Sequence, residues 1–222
     1  IMLPTRTFLI PPVLITGSGS SEKVGEESRK LGVRKTLIVT DEVLFKLGVV
    51  DGVKKALSEN KIQFALYIKI ATEPITEYVQ EGLKAYKENG CDSLIAVGGG
   101  SVIDTAKAVS IMLTNPGSIE DYKGLNKIPG KGVPLIAIPT TGGTGSEATQ
   151  FTIITDTKTN VKMLIGSPFV IPQVAIVDPL LTLSCPRDLT AAVGIDALTH
   201  AIEAYVSCLL YTSPSPRDRQ KS

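Results

Sequence analysis

Asp196 and His200 stand four residues apart in the segment AVGIDALTHAIEAY. At about 3.6 residues per turn they share one helix face, where a carboxylate and an imidazole can bind one metal ion. Glu203 lies three residues beyond His200, on a neighbouring face. The alternative is an Asp–His hydrogen bond on the side of a bundle helix. A catalytic metal usually takes about three protein ligands and one open position. His200 is the only histidine in the chain, so this pair is incomplete by itself.

Two glycine-rich stretches carry a different chemistry. Gly98-Gly99-Gly100-Ser101 follows an apolar run and opens a helical one. Glycine allows close backbone approach to a ligand, and a helix start offers unpaired N–H groups at a positive dipole end. That geometry suits a pyrophosphate. The string is neither a Walker loop nor GxGxxG, since no Gly-Lys-Ser/Thr follows and the third glycine is missing. On this motif alone the alternative is a tight strand-to-helix turn capped by Ser101, with Asp104 a dipole-matched acid and Lys107 a solvated base. The second stretch, PTTGGTGSE over residues 139–147, also follows an apolar run. Its hydroxyls and glycine N–H groups can bind phosphate or ribose, and the alternative is a plain surface loop. Two such turns after neighbouring parallel strands point to one crevice at the carboxyl ends of the strands.

Asp41 ends the run KTLIVT. An acid there can accept hydrogen bonds from adenosine ribose hydroxyls, which favours NAD over NADP. In the usual dinucleotide fingerprint that acid lies about 20 residues after the glycines, whereas here it precedes them. A helix N-cap is an equally good reading of Asp41 from composition alone.

These groups need a scaffold, and the chain supplies alternating elements. Residues 35–40, 63–68, 93–97, 134–138 and 174–177 are apolar and read as strands. Residues 51–59, 77–86 and 101–113 carry apolar side chains at helical spacing. Fully apolar strands alternating with helices imply a parallel sheet covered on both faces. FTIIT and VKMLI flank DTKTN within residues 151–165 and predict a hairpin. No internal repeat is present. After Pro186 the pattern becomes one long helix over 187–206, the opening of a second, helical domain. Residues 208–222 (CLLYTSPSPRDRQKS) have no periodicity. They resemble a translated adapter joined to a truncated frame, the alternative being a disordered tail. The start at Ile1 also fits an incomplete frame.

Composition bounds the function. The 222 residues are 43% hydrophobic and 20% charged, which supports a sizeable core. Lys plus Arg is 23 against Asp plus Glu at 22, a net charge of +1, so no basic excess exists to neutralise a nucleic acid. No apolar run reaches the roughly 18 residues a membrane span needs. Residues 8–15 are broken by Pro11 and Pro12, and no secretory leader precedes them. The three cysteines, Cys91, Cys185 and Cys208, lack metal spacing and fit a reducing cytoplasm.

Taken together, GGGSVIDTAKAV, NPGSIEDYKG, PTTGGTGSEAT, DPLLT and TAAVGIDALTHAIEAYVS resemble the iron-containing (group III) alcohol dehydrogenases over roughly residues 8–207. The resemblance implies an α/β fold with a Rossmann-like parallel sheet, related to dehydroquinate synthase, and then an all-helical domain. Residues 1–182 would form the nucleotide-binding domain and 183–207 the truncated start of the metal-binding domain. By position, Asp41 would meet the adenosine ribose, and Gly99, Gly100 and Ser101 the pyrophosphate. Thr140, Thr141, Thr144 and Thr149 would line the nucleotide, with Lys162 and Leu181 nearby. Asp196 and His200 would be the first two metal ligands. The implied cofactors are NAD, in preference to NADP, and ferrous iron, with zinc as the alternative ion. The implied substrate is a small primary alcohol, a diol or the matching aldehyde, and the full-length protein would be a cytoplasmic homo-oligomer.

Some features depart from the family. Gly142 stands where relatives usually carry Ala, and Thr72-Glu73-Pro74-Ile75-Thr76 where many read Pro-Asn-Pro-Thr. Two further histidine ligands lie later in the family's helical domain, so this chain alone is expected to be inactive. A glycerol dehydrogenase or dehydroquinate synthase relative, or a bare nucleotide-binding module, are the competing readings. The dehydrogenase reading requires both glycine turns on one side of the molecule, with Asp196 and His200 facing them.

Overall fold

The computed structural model describes residues 9–206. The strands are β1 (Val13–Thr16), β2 (Lys35–Val39), β3 (Gln63–Tyr67), β4 (Ser93–Gly98), β5 (Gly124–Leu125), β6 (Leu135–Pro139), β7 (Phe151–Asp156), β8 (Val161–Gly166) and β9 (Val174–Val177). The helices are α1 (Val24–Lys30), α2 (Glu42–Lys46), α3 (Asp51–Glu59), α4 (Thr76–Glu88), α5 (Gly100–Met112) and α6 (Arg187–Val206). Six strands form one sheet in the order β1-β9-β6-β4-β2-β3, and every pair in it is parallel.

The central strands β4 and β6 are buried at every position, which explains why their sequences are apolar runs without alternation. Successive residues still face opposite sides. Leu37, Leu94, Ala96 and Ala137 join one core cluster with α4 and α5. Ile38, Ile95, Val97, Ile136 and Ile138 join the other, with Val24 of α1 and Val53 and Leu57 of α3. Each fully buried Leu, Ile or Val contributes roughly 1.5–3 kcal/mol. The predicted hairpin is β7–β8, antiparallel from Phe151 opposite Gly166 to Asp156 opposite Val161. Ile154, Met163 and Ile165 press it onto α5, so that helix is covered on both sides.

Four of these elements have no counterpart in the sequence reading: β1, α1, α2 and the two-residue β5. Strand β1 has four residues and follows the two prolines, and it is held at the sheet edge by β9, far away in sequence. Helices α1 and α2 span only 7 and 5 residues, too short to show a period. The segment 208–222, expected to be foreign to the fold, lies outside the described residues, as does Cys208. Cys91 and Cys185 are free thiols. Burial pushes the Cys91 thiol above its ordinary value, against the nearby Lys35.

Candidate functional site

The two glycine-rich turns leave adjacent parallel strands. Gly98 at the end of β4 pairs with Pro139 at the end of β6, and Thr140 N donates to Gly98 O at 3.1 Å. Gly99, and not Ser101, is the N-cap of α5, and no side chain caps that helix. The first N–H groups of α5 therefore remain available to a ligand. A Cβ on Gly100 would lie 2.9 Å from Thr144 Cγ2, and one on Gly99 would lie 3.2 Å from Thr141 Oγ1. The bare backbone of the first turn thus receives the threonines of the second. Gly99, Gly100, Ser101, Thr141 and Thr144 are all half-buried around this one surface. A Cβ on Gly142 would meet nothing within 4 Å, so the Ala expected from the resemblance also fits there.

Helix α5 holds the second turn from beneath. Asp104 and Lys107 are 2% and 0% exposed, which corrects the reading of one as a dipole-matched surface acid and the other as a solvated base. The Asp104 carboxylate accepts from the Ser146 hydroxyl and, at 3.1 Å, from Ile153 N. Lys107 Nζ donates to Thr149 O at 2.9 Å, to Phe151 O at 2.8 Å and to Thr149 Oγ1 at 3.3 Å. Burying two charged groups is tolerable only because such partners surround them. The same helix therefore begins at the first turn and fixes the second.

The other assigned residues are more scattered. Thr140 is 3% and Thr149 is 2% exposed, and the Thr149 hydroxyl is taken by Lys107 beneath the turn. Asp41 caps α2, accepting from Leu44 N at 2.8 Å through Oδ1. It follows β2, which pairs with β4, and so belongs to the same end of the sheet as Gly99. Leu181 sits in the turn Pro179–Thr182 after β9 and packs on the second core cluster. Lys162 is an exposed residue near the start of β8 and pairs with Glu73.

Helix α6 meets the second turn. Gly143 has φ 132°, and a Cβ there would lie 2.7 Å from Val193 O and 3.2 Å from Asp196 Oδ2. Only glycine allows so close a passage at this φ. Val193, Asp196, His200 and Glu203 are half-buried and form one stripe, while Ile195, Leu198 and Ile202 are exposed. Glu203 therefore shares the stripe of Asp196 and His200. His200 Nε2 is 3.2 Å from Asp196 Oδ1. Their oxygen and nitrogen suit a divalent transition metal. Among the described residues no group of three or more His, Cys, Asp or Glu gathers around one point.

Besides the buried partners of Asp104 and Lys107, sequence reasoning missed two further contacts. The approach of α6 to Gly143 had only the run of glycines as its signal, and the partner of Lys162 had none. A groove of about 600 Å³ opens at the opposite end of the sheet, lined by Arg34, Lys35, Lys61 and Asp92 among others. It lies where α1, α3 and α4 end, so its cations complement the negative ends of three helix dipoles. No helix among the described residues is long and apolar enough to cross a membrane.

Comparison with known proteins bears on the same residues. The chain is 44% identical over 200 residues to the NAD-dependent methanol dehydrogenase of Bacillus methanolicus, covering 90% of this chain and 52% of that protein. It is 40% identical over 202 residues to the 1,3-propanediol dehydrogenase of Citrobacter freundii, with the same two coverages of 90% and 52%. The solved alcohol dehydrogenase from Oenococcus oeni superimposes with a TM-score of 0.88 at 38% identity, over 91% of this chain and 53% of that one. The chain thus spans about half the length of the curated relatives it matches. The family model described as iron-containing alcohol dehydrogenase matches residues 11–179, which includes both glycine turns. With the parallel sheet and the start of a helical domain in place as well, this chain belongs to the iron-containing alcohol dehydrogenase family.

Proposed function

We propose that this chain is the nucleotide-binding half, with the first two metal ligands, of an NAD-dependent dehydrogenase of small primary alcohols or diols. The observation that carries the reading is the meeting of three segments. The α5 start touches Thr141 and Thr144, and Gly143 touches the helix of Asp196. Three segments that are distant in sequence thereby come together at one place.

Each residue has a defined task. The first N–H groups of α5 and its positive end hold the pyrophosphate. The hydroxyls of Thr141 and Thr144 close over it, and Ser101 lies at the same surface. Asp41 keeps Oδ2 for the ribose hydroxyls while Oδ1 caps α2. A carboxylate there repels a 2′-phosphate, which favours NAD over NADP. Thr140, Thr149 and Leu181 support the groove from below, and Lys162 stands at its rim. When bound, NAD would supply the hydride acceptor, and Asp196 and His200 would be two of the ligands of an iron or zinc ion that would supply Lewis-acid polarisation of the substrate oxygen. The longer protein would act on an alcohol or the matching aldehyde as a cytoplasmic homo-oligomer. Among the described residues only Asp196 and His200 are assigned to the metal, and a complete site takes about three protein ligands, so residues 9–206 by themselves are expected to bind nucleotide without turnover.

The test is NADH titration by fluorescence. The wild-type chain is expected to bind, and Gly100→Ala to bind about 10-fold or more weakly, because small misplacements of positioning groups carry costs of that order. Its far-ultraviolet circular dichroism should stay unchanged. Equal affinity in the two proteins, or no binding by the wild type, would overturn the reading.

A further inference from the structure

Lys162 is assigned above to the rim of the nucleotide groove, yet its ammonium group already has a partner. Nζ lies 2.8 Å from Glu73 Oε1 and 2.8 Å from Oε2, so both carboxylate oxygens engage it. Glu73 belongs to the segment that leaves the carboxyl end of β3 and returns as α4. That segment is therefore on the same end of the sheet as the two glycine turns. It is pinned to the hairpin: Thr155 N donates to Pro74 O at 2.8 Å, and Ile75 bridges Thr155. Thr76 and Thr157 hydroxyls meet at 3.2 Å just beyond. Lys162 lies directly opposite Thr155 in the β7–β8 register. The backbone thus fixes both ends of the pair.

Both side chains are nonetheless open to water, Lys162 at 62% and Glu73 at 64%. An exposed pair of this kind is worth little and opens easily. An amide in place of the Glu73 carboxylate would not engage the ammonium as an ion pair. The ammonium can serve the Glu73 carboxylate or a ligand oxygen, and each competes with the other.

We propose that Glu73 is a built-in competitor for Lys162. Its carboxylate holds the ammonium in the free chain and must yield when a dinucleotide binds, which lowers affinity and hastens release. This inference rests on the nucleotide reading of the preceding section. NADH affinity of four proteins tests it: wild type, Glu73→Gln, Lys162→Met and the double variant. Glu73→Gln is expected to tighten binding by about 2- to 5-fold, the range a surface pair of this kind can supply. In the Lys162→Met background the same change should have no effect. An unchanged or weaker affinity for Glu73→Gln overturns the inference. So does an equal gain in the Lys162→Met background, which would mean a general charge effect. Wild-type binding without any gain removes this inference alone, whereas failure of the wild type to bind NADH removes the nucleotide reading and this inference with it.

Discussion

Lys107→Met is the substitution that most directly probes the support beneath the second turn. Methionine keeps an unbranched stem of similar length but has no donor to replace Nζ. Lys107 is 0% exposed, and its loss leaves the carbonyls of Thr149 and Phe151, at 2.9 and 2.8 Å, without this partner. Each buried acceptor so orphaned costs about 1–3 kcal/mol. Removing one member of a buried charged network costs about 3–5 kcal/mol in total, which agrees with two or three such acceptors. The released desolvation penalty of the ammonium works in the opposite direction and places the expected loss near the lower figure. At about 2–4 °C per kcal/mol for a chain of this size, the midpoint should fall by roughly 6–12 °C. Thermal unfolding followed by circular dichroism measures this, with the urea midpoint as a second reading. A midpoint within about 2 °C of wild type would refute the reasoning, since it would show that the carbonyls find other donors or that the ammonium contributes nothing net.

Two further outcomes follow from buried or capping carboxylates. Asp178 is 2% exposed, and burial by itself would raise its pKa. The hydroxyl and N–H of Ser21 and the N–H groups of Gly19 and Leu180 outweigh that effect and hold the group below its ordinary value of 3.8. A depressed native pKa means that the unfolded chain takes up the proton first, so the stabilisation is complete above the unfolded value and is lost as pH falls through the native one. Urea midpoints measured from about pH 6 down to about pH 2 should show a steeper acid limb for wild type than for Asp178→Asn; parallel limbs would discount the role of this carboxylate. Asp41→Gly should cost a few tenths of a kcal/mol through the α2 cap and should relax discrimination against NADPH. An unchanged NADH-to-NADPH ratio of dissociation constants would remove Asp41 from the ribose site.

Much of this architecture was legible in the residues. The runs KTLIVT, SLIAV, PLIAI and VAIV are mostly apolar, without alternation, because their strands are buried on both faces, and burial on both faces is what a parallel sheet between helices imposes. Helix α3 coincides with its predicted range because Val53, Ala56 and Leu57 make one face. Helix α6 coincides with its range because Pro186 marks a start and no strand signal follows. The glycine and threonine pattern likewise disclosed two turns, which the fold brings side by side. Local patterning settles such matters because each depends on neighbours within a few residues.

The tertiary structure decided whatever depends on distant partners. Sequence could not separate a surface Asp104 and Lys107 from buried ones, because their fate rests on Ser146, Thr149, Phe151 and Ile153, about forty to fifty residues away. Nor could it reveal β1, whose four residues become a strand only beside β9. The partner of Lys162 is 89 residues distant and arises only when Pro74 and Thr155 bring two segments together. The approach of Asp196 to Gly143 has the same origin. Composition and period report which surfaces a segment must bury, whereas the choice of partner is made by closure of long loops around a shared core, and that choice exists only in three dimensions.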